Sequence, residues 1–192
     1  MSREKILAAV AQNKPAHTPL PEIQNFGNPY TDLSAQFTSV LTTIGGEVVP
    51  VTNFETIGHY LTTHFPNARF ITNLPQLTEL AENSWLSADP HTLENVGVAI
   101  LQGQFGVAEN GSVWVTETEM GHRAAPFIAE TLALVIKKSL IVPKMHDAYE
   151  LIGSERYGFG AFIAGPSKTA DIEQSLVLGA HGPKSMILFM LD

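Results

Sequence analysis

The sequence contains no cysteine and few basic residues, and both absences narrow what the chain can do. Without thiolates, the 192-residue chain cannot form disulfides, build a thiolate zinc site or hold an iron–sulfur cluster by cysteine. Lysine and arginine number 11 against 19 acidic residues, which gives a formal net charge of −8 and no basic field for nucleic acid or an anionic membrane. We therefore expect no nucleic-acid or membrane partner, and any redox metal would belong to a partner protein.

Long apolar runs are also missing. No stretch approaches the roughly 20 apolar residues that span a bilayer, and the first residues, MSREKILAAVAQNKP, carry charges in their first turn. We therefore expect a soluble, cytoplasmic protein. Hydrophobic residues make up 44% of the chain, which is enough for one domain with a core of its own.

The N-terminal residues predict a segment separate from this domain. Ile6, Leu7 and Val10 recur at the spacing of a short helix, and a proline-rich stretch follows that favours an extended connection. A helix of this length is not stable alone. Residues 1–29 are therefore expected to form an arm that docks on a neighbouring subunit or on a second copy of the chain, and residues 30–192 to form the folded domain.

Beyond the arm, the apolar residues alternate between helical and strand spacing. Three- and four-residue steps predict helices over residues 32–44, 54–65 and 142–152, and the segments EVVPV, VGVAIL and SMILFML are predicted to be strands. Pro50, inside the first of these strands, indicates a sheet edge. The alternation predicts an α/β sandwich with a mixed, mainly parallel sheet.

Two Gly-Pro pairs stand close together in GPSKTADIEQSLVLGAHGPK, residues 165–184. The segment follows a predicted strand, and Thr169, or Ser167 before it, is the expected N-cap of a helix that Gly179 ends. A strand-to-helix junction at the carboxyl edge of a sheet can bind an anion through free N–H groups. The side chains that a merely structural helix does not need are Lys168, His181 and Lys184. A well-capped structural helix is the alternative, and both interpretations stay open.

The segment GQFGVAENGSVWV places an acid beside a tight turn. Asn110-Gly111 between apolar runs predicts a two-residue hairpin turn, and such a turn does not require Glu109. A partly desolvated Glu109 would be a plausible base or carboxylate nucleophile, with Asn110 and Gly111 beside it in a ligand site. A solvated turn acid is the alternative interpretation.

The segment TETEMGHR offers a third group of polar side chains, namely Glu117, Glu119, His122 and Arg123. Their spacing matches no metal motif, and a polar loop after a strand accounts for them. We predict no metal site.

The segments AENGSVWVTE, GPSKTADIEQSLVLGAHGPK and SMILFML together resemble the LUD-domain family, lactate utilization protein C type. The resemblance covers about residues 30–192. It departs from the family pattern at Lys168 and Lys184, where the family has arginine, and in the turn, which reads Glu-Asn-Gly-Ser in place of Glu-Thr-Gly-Thr. Lysine does not reproduce the bidentate contact of a guanidinium group, so the identity of the ligand stays open.

The resemblance implies a three-layer α/β/α sandwich similar to the sugar-phosphate isomerase and coenzyme A transferase group. It also implies that the protein works beside iron–sulfur proteins that oxidise L-lactate to pyruvate. The clusters would be bound by those partners, and this chain would bind no cofactor. Glu109 matches the turn acid of the family. The other positions that match its motifs are Gly165, Ser167, Thr169, Asp171, His181 and Gly182.

Three functions are compatible with these features. The first is an accessory subunit of an iron–sulfur lactate-utilization system, with a small-anion pocket at the carboxyl edge of the sheet. The second is an independent enzyme acting on a carboxylate, thioester or phosphorylated metabolite through Glu109. The third is a ligand sensor without catalysis. A pocket shared by Glu109 and the Ser167 turn would require these two segments to meet at one rim of the sheet.

Overall fold

The fold is built on a five-stranded sheet, seen in a computed structural model that describes residues 2–16, 18–19, 30–172 and 175–192. Within these ranges the α-helices are α1 Arg3–Gln12, α2 Leu33–Thr43, α3 Phe54–His64, α4 Glu117–Met120, α5 Ala125–Ile128 and α6 Met145–Ile152. The strands are β1 Glu47–Val51, β2 Phe70–Thr72, β3 Val98–Gln102, β4 Phe105–Val107, β5 Ser112–Thr116, β6 Thr131–Lys137, β7 Ile141–Val142, β8 Gly160–Ile163, β9 Lys168–Ile172, β10 Ser175–Leu178 and β11 Ser185–Leu191. Short 3-10 helices lie at Pro75–Leu77, Ser84–Ser87, Pro90–Leu93 and Lys138–Leu140.

The main sheet has the order β1-β11-β6-β3-β2, and every neighbouring pair in it is parallel. The predicted mainly parallel sheet is therefore confirmed. β1 lies at one edge, where Pro50, which has no N–H to donate, is tolerated. β11 lies inside the sheet, and Ile187 pairs with Glu47 on one side and with Ala133 on the other.

Alternate residues of these strands contribute to two cores on opposite faces of the sheet. Ile187 and Phe189 point to the face covered by α3, whose Ile57 and Leu61 are fully buried. Leu188 points to the other face, which α2 and the second sheet cover. Helices therefore pack on both faces of a parallel sheet, which confirms the predicted α/β sandwich.

The second sheet has the order β7-β4-β5-β8. Its inner face joins the core beneath α2, where Phe37 is fully buried. A Cβ on Gly106 of β4 would lie 2.8 Å from the Phe37 ring, so only glycine leaves room for that ring. The outer face of this sheet packs against Ala148 and Ile152 of α6.

The prediction of a helix after the first Gly-Pro pair is wrong. Its residues form β9 and β10, an antiparallel pair in which Thr169 lies opposite Val177. Thr169 is therefore a strand residue rather than an N-cap, and Gly179 follows a strand. The residues that suggested a helix start and a helix end act only locally. Threonine, isoleucine and valine favour strands, and cross-strand pairing stabilises the strands here. Glu173 and Gln174 lie outside the described residues.

The N-terminal helix is present as α1, and it contains no buried residue. Residues 20–29 of the predicted arm lie outside the described residues. None of the described helices combines the length and apolar character needed to cross a membrane.

Replacing Phe37 tests how far α2 holds the two sheets together. Phe37→Ala removes a fully buried ring from the core that α2 shares with both sheets. We expect a loss of about 3–5 kcal/mol in the free energy of unfolding, measured by urea denaturation. Thr42→Ala on the exposed side of α2 is the control, and we expect it to change stability by less than about 0.5 kcal/mol. Equal effects of the two changes would contradict this account of the core.

Candidate functional site

The turn that carries Glu109 is longer than the predicted two-residue turn. Val107 pairs with Ser112, which leaves four residues in the connection, and the Gly111 N–H donates to the Val107 carbonyl at 2.9 Å. The Asn110 side chain accepts hydrogen bonds from the N–H and hydroxyl of Ser112 at 3.0 and 2.7 Å. The Asn-Gly pair therefore closes a four-residue loop, because the asparagine side chain stabilises the loop locally.

Glu109 is exposed rather than partly desolvated. Its carboxylate Oε2 accepts a hydrogen bond from the Met145 N–H at 2.8 Å, and its own N–H donates to the Pro143 carbonyl at 3.0 Å. Met145 is the first residue of α6. The acid thus satisfies a free N–H at a helix start, which is a structural reason for its presence beside the turn.

The two Gly-Pro pairs build a crossing of two chain segments. The Ser167 N–H donates to the Pro183 carbonyl at 2.9 Å, and the Gly179 N–H donates to the Ser167 carbonyl at 3.0 Å. A Cβ on Gly182 would lie 3.0 Å from Ser167 Cβ, so the absence of a side chain allows this approach. Gly165 has a positive φ of 73°, which glycine adopts without strain. The doubled motif therefore has a structural purpose at this crossing.

This crossing lies at the amino edge of the main sheet, not at the carboxyl edge as predicted. Lys184 directly precedes β11, and its N–H donates to the carbonyl of Glu130, which directly precedes β6. The prediction is wrong because it assigned the segment to a strand-to-helix junction. The segment in fact leaves β8 of the second sheet and enters β11 at its start.

The Glu109 loop and the Gly165 turn lie beside each other. β5 and β8 are antiparallel with Val113 opposite Ile163, so the loop before β5 is next to the turn after β8. A Cβ on Gly111 would lie 2.9 Å from the Leu41 N atom, and one on Gly165 would lie 3.1 Å from the Ile44 carbonyl oxygen. Both segments therefore rest on the C-terminal half of α2, while the Glu109 carboxylate is held at α6.

Charged side chains at the amino edge already have partners or face solvent. A cleft of about 310 Å³ there is lined in part by Glu94, Glu130 and Lys184. Lys184 Nζ lies 2.6 Å from a Glu130 oxygen, so its charge is already paired. Lys168 and His181 are exposed, and the side chain of Asp171 lies outside the described part of the structure. With more carboxylates than cations, this cleft is poorly suited to an anion.

The side chains of TETEMGHR hold the end of β5 in place. Glu119 accepts hydrogen bonds from the Thr116 N–H and hydroxyl and from the Gln104 side chain. Glu117 and Arg123 form an ion pair at 2.6 Å. Among the described residues, no group of three or more histidine, aspartate or glutamate side chains is placed to hold a metal ion.

A second cleft lies at the carboxyl edge, and sequence analysis missed it. It measures about 420 Å³ and opens between the first turns of α2 and the ends of β1, β6 and β11. Its lining residues are Ser34, Ala35, Thr38, Ser39, Pro50, Lys138, Met190 and Asp192. The detectable signal was the Lys137-Lys138 pair directly after a buried strand, since ligands of open α/β sheets bind outside the strands' carboxyl ends.

A model of the LUD domain matches residues 88–191, more than half of the chain. The chain belongs to the LUD domain family. The matched region contains β3, β6 and β11 of the main sheet and the whole second sheet, whereas α2 and β1 lie before it. This LUD protein therefore builds its carboxyl-edge cleft partly from residues outside the matched region.

Several relatives of this LUD protein are named lactate utilization protein C. The protein of Bacillus pumilus (strain SAFR-032) is 31% identical over 124 residues, which cover 58% of this chain and 51% of that protein. Those of Geobacillus kaustophilus (strain HTA426) and Geobacillus thermodenitrificans (strain NG80-2) are 37% and 38% identical, each over 46% of this chain and 39% of that protein. The chain thus spans about half the length of these relatives, or less.

A solved structure shares the fold. The crystal structure of a DUF162 family protein from Deinococcus radiodurans superposes with a TM-score of 0.66 at 15% sequence identity, covering 83% of this chain and 96% of that one. At this identity the similarity concerns the fold alone.

Removing the Glu109 carboxylate tests its role at α6. Glu109→Ala leaves the Met145 N–H without this partner, so we expect a loss of about 1 kcal/mol in unfolding free energy by urea denaturation. Glu150→Ala, in the exposed part of the same helix, is the control and should change stability by less than about 0.5 kcal/mol. Unchanged stability of Glu109→Ala would show that the contact contributes nothing.

Two glycine substitutions with opposite expected signs compare the turn at Gly165 with a helical position, Gly58. Gly165→Ala places a side chain at positive φ and 3.1 Å from a backbone oxygen, so it should destabilise the protein by about 1–2 kcal/mol. Gly58→Ala inside α3 meets only one side-chain atom, at 3.9 Å, and should stabilise by about 0.5–1 kcal/mol because alanine favours helix. Thermal unfolding of both variants measures the two signs. A neutral Gly165→Ala would contradict the expected cost of a side chain at this position.

Proposed function

We propose that this LUD protein takes part in lactate utilization as an accessory subunit beside iron–sulfur proteins that oxidise L-lactate to pyruvate. The observation that carries the proposal is the 31–38% identity to three proteins named lactate utilization protein C. Because the chain spans only part of those proteins, its role is proposed from the shared region and from its own surface.

The composition supports a division of labour between this chain and its partners. Oxidising lactate to pyruvate releases two electrons and two protons, and an electron acceptor must take up the electrons. The chain has no cysteine, so it supplies no thiolate ligand for an iron–sulfur cluster. In the proposed system the clusters are held by the partner proteins, and this chain binds or positions a component of the reaction.

α1 is the proposed contact with a partner. Ile6, Leu7 and Val10 lie on one face of this helix and are 49–54% exposed. A ten-residue helix gains little stability by itself and becomes stable when its apolar face is buried. A partner surface that covers this face would stabilise α1, in the manner of helix-in-groove recognition.

The position of Glu109 favours the accessory role over an enzyme that uses this residue. Its carboxylate is occupied by the Met145 N–H, and it is exposed rather than desolvated. A general base must reach the proton that it removes, and none of the described contacts of Glu109 directs it into a cleft.

Two experiments test this proposal. In a host strain that lacks its own copy of the gene, we expect no growth on L-lactate as sole carbon source, normal growth on glucose, and rescue by the full chain. Normal growth of that strain on L-lactate would refute the proposed role.

The partner contact is tested with matched variants of α1. Ile6→Asp places a charge on the apolar face of the helix, and Ala8→Asp places the same charge on the opposite face, which is also exposed. We expect Ile6→Asp to reduce co-purification with iron–sulfur proteins at least about tenfold, because it buries a charge in the contact, and Ala8→Asp to leave co-purification unchanged. Equal co-purification of both variants would rule out this face of α1 as the contact.

A further inference from the structure

The topology of the main sheet creates a crevice at the carboxyl end of β11. From the end of β1 the chain turns to α3, which covers one face of the sheet. From the end of β6 it turns to β7, whose Ile141 belongs to the core on the other face. After the two strands on either side of β11, the chain therefore continues to opposite faces of the sheet. In open α/β sheets, this reversal is the position at which ligands bind.

The carboxyl-edge cleft lies at this position. Pro50 and Met190 come from the ends of β1 and β11, and Lys138 follows β6 directly. Ala35, from the first turns of α2, completes an apolar wall with these strand residues. A volume of about 420 Å³ lies in the lower part of the range of small-molecule sites.

Lys138 is the cation that this cleft offers. It forms no ion pair with any described residue, in contrast to Lys184 at the amino edge. The nearby Asp32 is already engaged, since its carboxylate accepts hydrogen bonds from the Ala35 N–H at 3.0 Å and the Ser34 hydroxyl at 2.8 Å. These bonds, with a smaller contribution from Lys138, hold the pKa of Asp32 below its ordinary value.

The other polar groups of the cleft limit the charge of a ligand. Asp192 lines the cleft and repels a multiply charged anion, so a single negative charge beside Lys138 is the better match. Thr38 donates its hydroxyl to the Ser34 carbonyl at 2.7 Å, whereas the Ser39 hydroxyl makes no side-chain hydrogen bond to a described residue. Ser39 is therefore available to a neutral oxygen of the ligand.

We propose that the carboxyl-edge cleft binds a small 2-hydroxy or 2-oxo monocarboxylate. Lys138 pairs with the carboxylate, Ser39 hydrogen-bonds the oxygen at the second carbon, and the short apolar end of the acid lies against Pro50 and Met190. The choice of this class of acid rests on the proposed function, whereas the position of the site rests on the sheet topology and the cleft.

Neighbouring lysines provide a matched pair of variants. Lys138→Met removes the charge at the cleft and retains most of the side-chain length. Lys137→Met makes the same change one residue earlier, where strand alternation continues from Ala133 and Val135 on the face covered by α3. Both lysines are exposed, so neither change should affect folding, which circular dichroism and thermal unfolding would verify.

Binding is measured by calorimetry on the full chain with L-lactate, pyruvate and inorganic phosphate as probes. We expect one of the two acids to bind with higher affinity than phosphate. We expect Lys138→Met to weaken that binding at least about tenfold, because a charge-assisted hydrogen bond is lost, and Lys137→Met to leave it within about twofold. Absence of binding of both acids would overturn the inference. So would equal weakening by the two variants, or tighter binding of phosphate.

The binding experiment and the growth experiment fail independently. If the strain lacking the gene cannot grow on L-lactate but the protein binds neither acid, the proposed function survives and this site is refuted. If the protein binds pyruvate or lactate through Lys138 and the strain grows normally on L-lactate, the site survives and the role in lactate utilization is refuted.

Discussion

The parallel pairing of β11 between β1 and β6 places the segment before β11 at the amino edge of the main sheet and the last residues of β11 at its carboxyl edge. β11 is the last strand of the chain, yet it pairs along its length with β6 and with β1, the first strand of the sheet. Such contacts between distant parts of the sequence carry a large loop-closure entropy, which the burial of Leu188 and Phe189 in the two cores offsets. Without β11, neither the amino-edge crossing nor the carboxyl-edge cleft would have its present walls.

The direction of β11 places the Ser167–Pro183 crossing and the Lys138 cleft at opposite edges of the sheet, which the sequence alone does not reveal. Because the strand is parallel to its neighbours, the segment before it is confined to the amino edge, where Ser167 and Pro183 meet. The same direction brings Met190 to the carboxyl edge beside Lys138. The crossing made by the most conspicuous motif therefore lies at the opposite edge of the sheet from the cleft at the topological reversal, whose lining residues belong to no motif. The region matched by the LUD domain model includes β11 and β6 but not α2.

The predictions from sequence succeeded where one local pattern had one physical meaning. Pro50 indicated an edge strand, because proline lacks the N–H that a central strand must donate, and β1 is an edge strand. The predictions failed where two structures shared the same local signals. Thr169 and Gly179 suit a helix cap and a helix end, but they suit a strand pair equally well, and only the pairing of Thr169 with Val177 decides between them. The contact of Glu109 with the Met145 N–H was not predictable either, because the two residues are 36 positions apart in the chain.

The sequence by itself determined the α/β class, the edge position of β1 and the absence of thiolate chemistry, because each follows from side-chain periodicity or from the residue types present. The resemblance carried by its motifs also identified the family. Only the tertiary structure decided at which edge of the sheet each segment lies and that, among the described residues, Lys184 pairs with Glu130 whereas Lys138 forms no ion pair. Those properties depend on strand order and direction. Contacts between residues far apart in the chain set both, and no local sequence pattern indicates them.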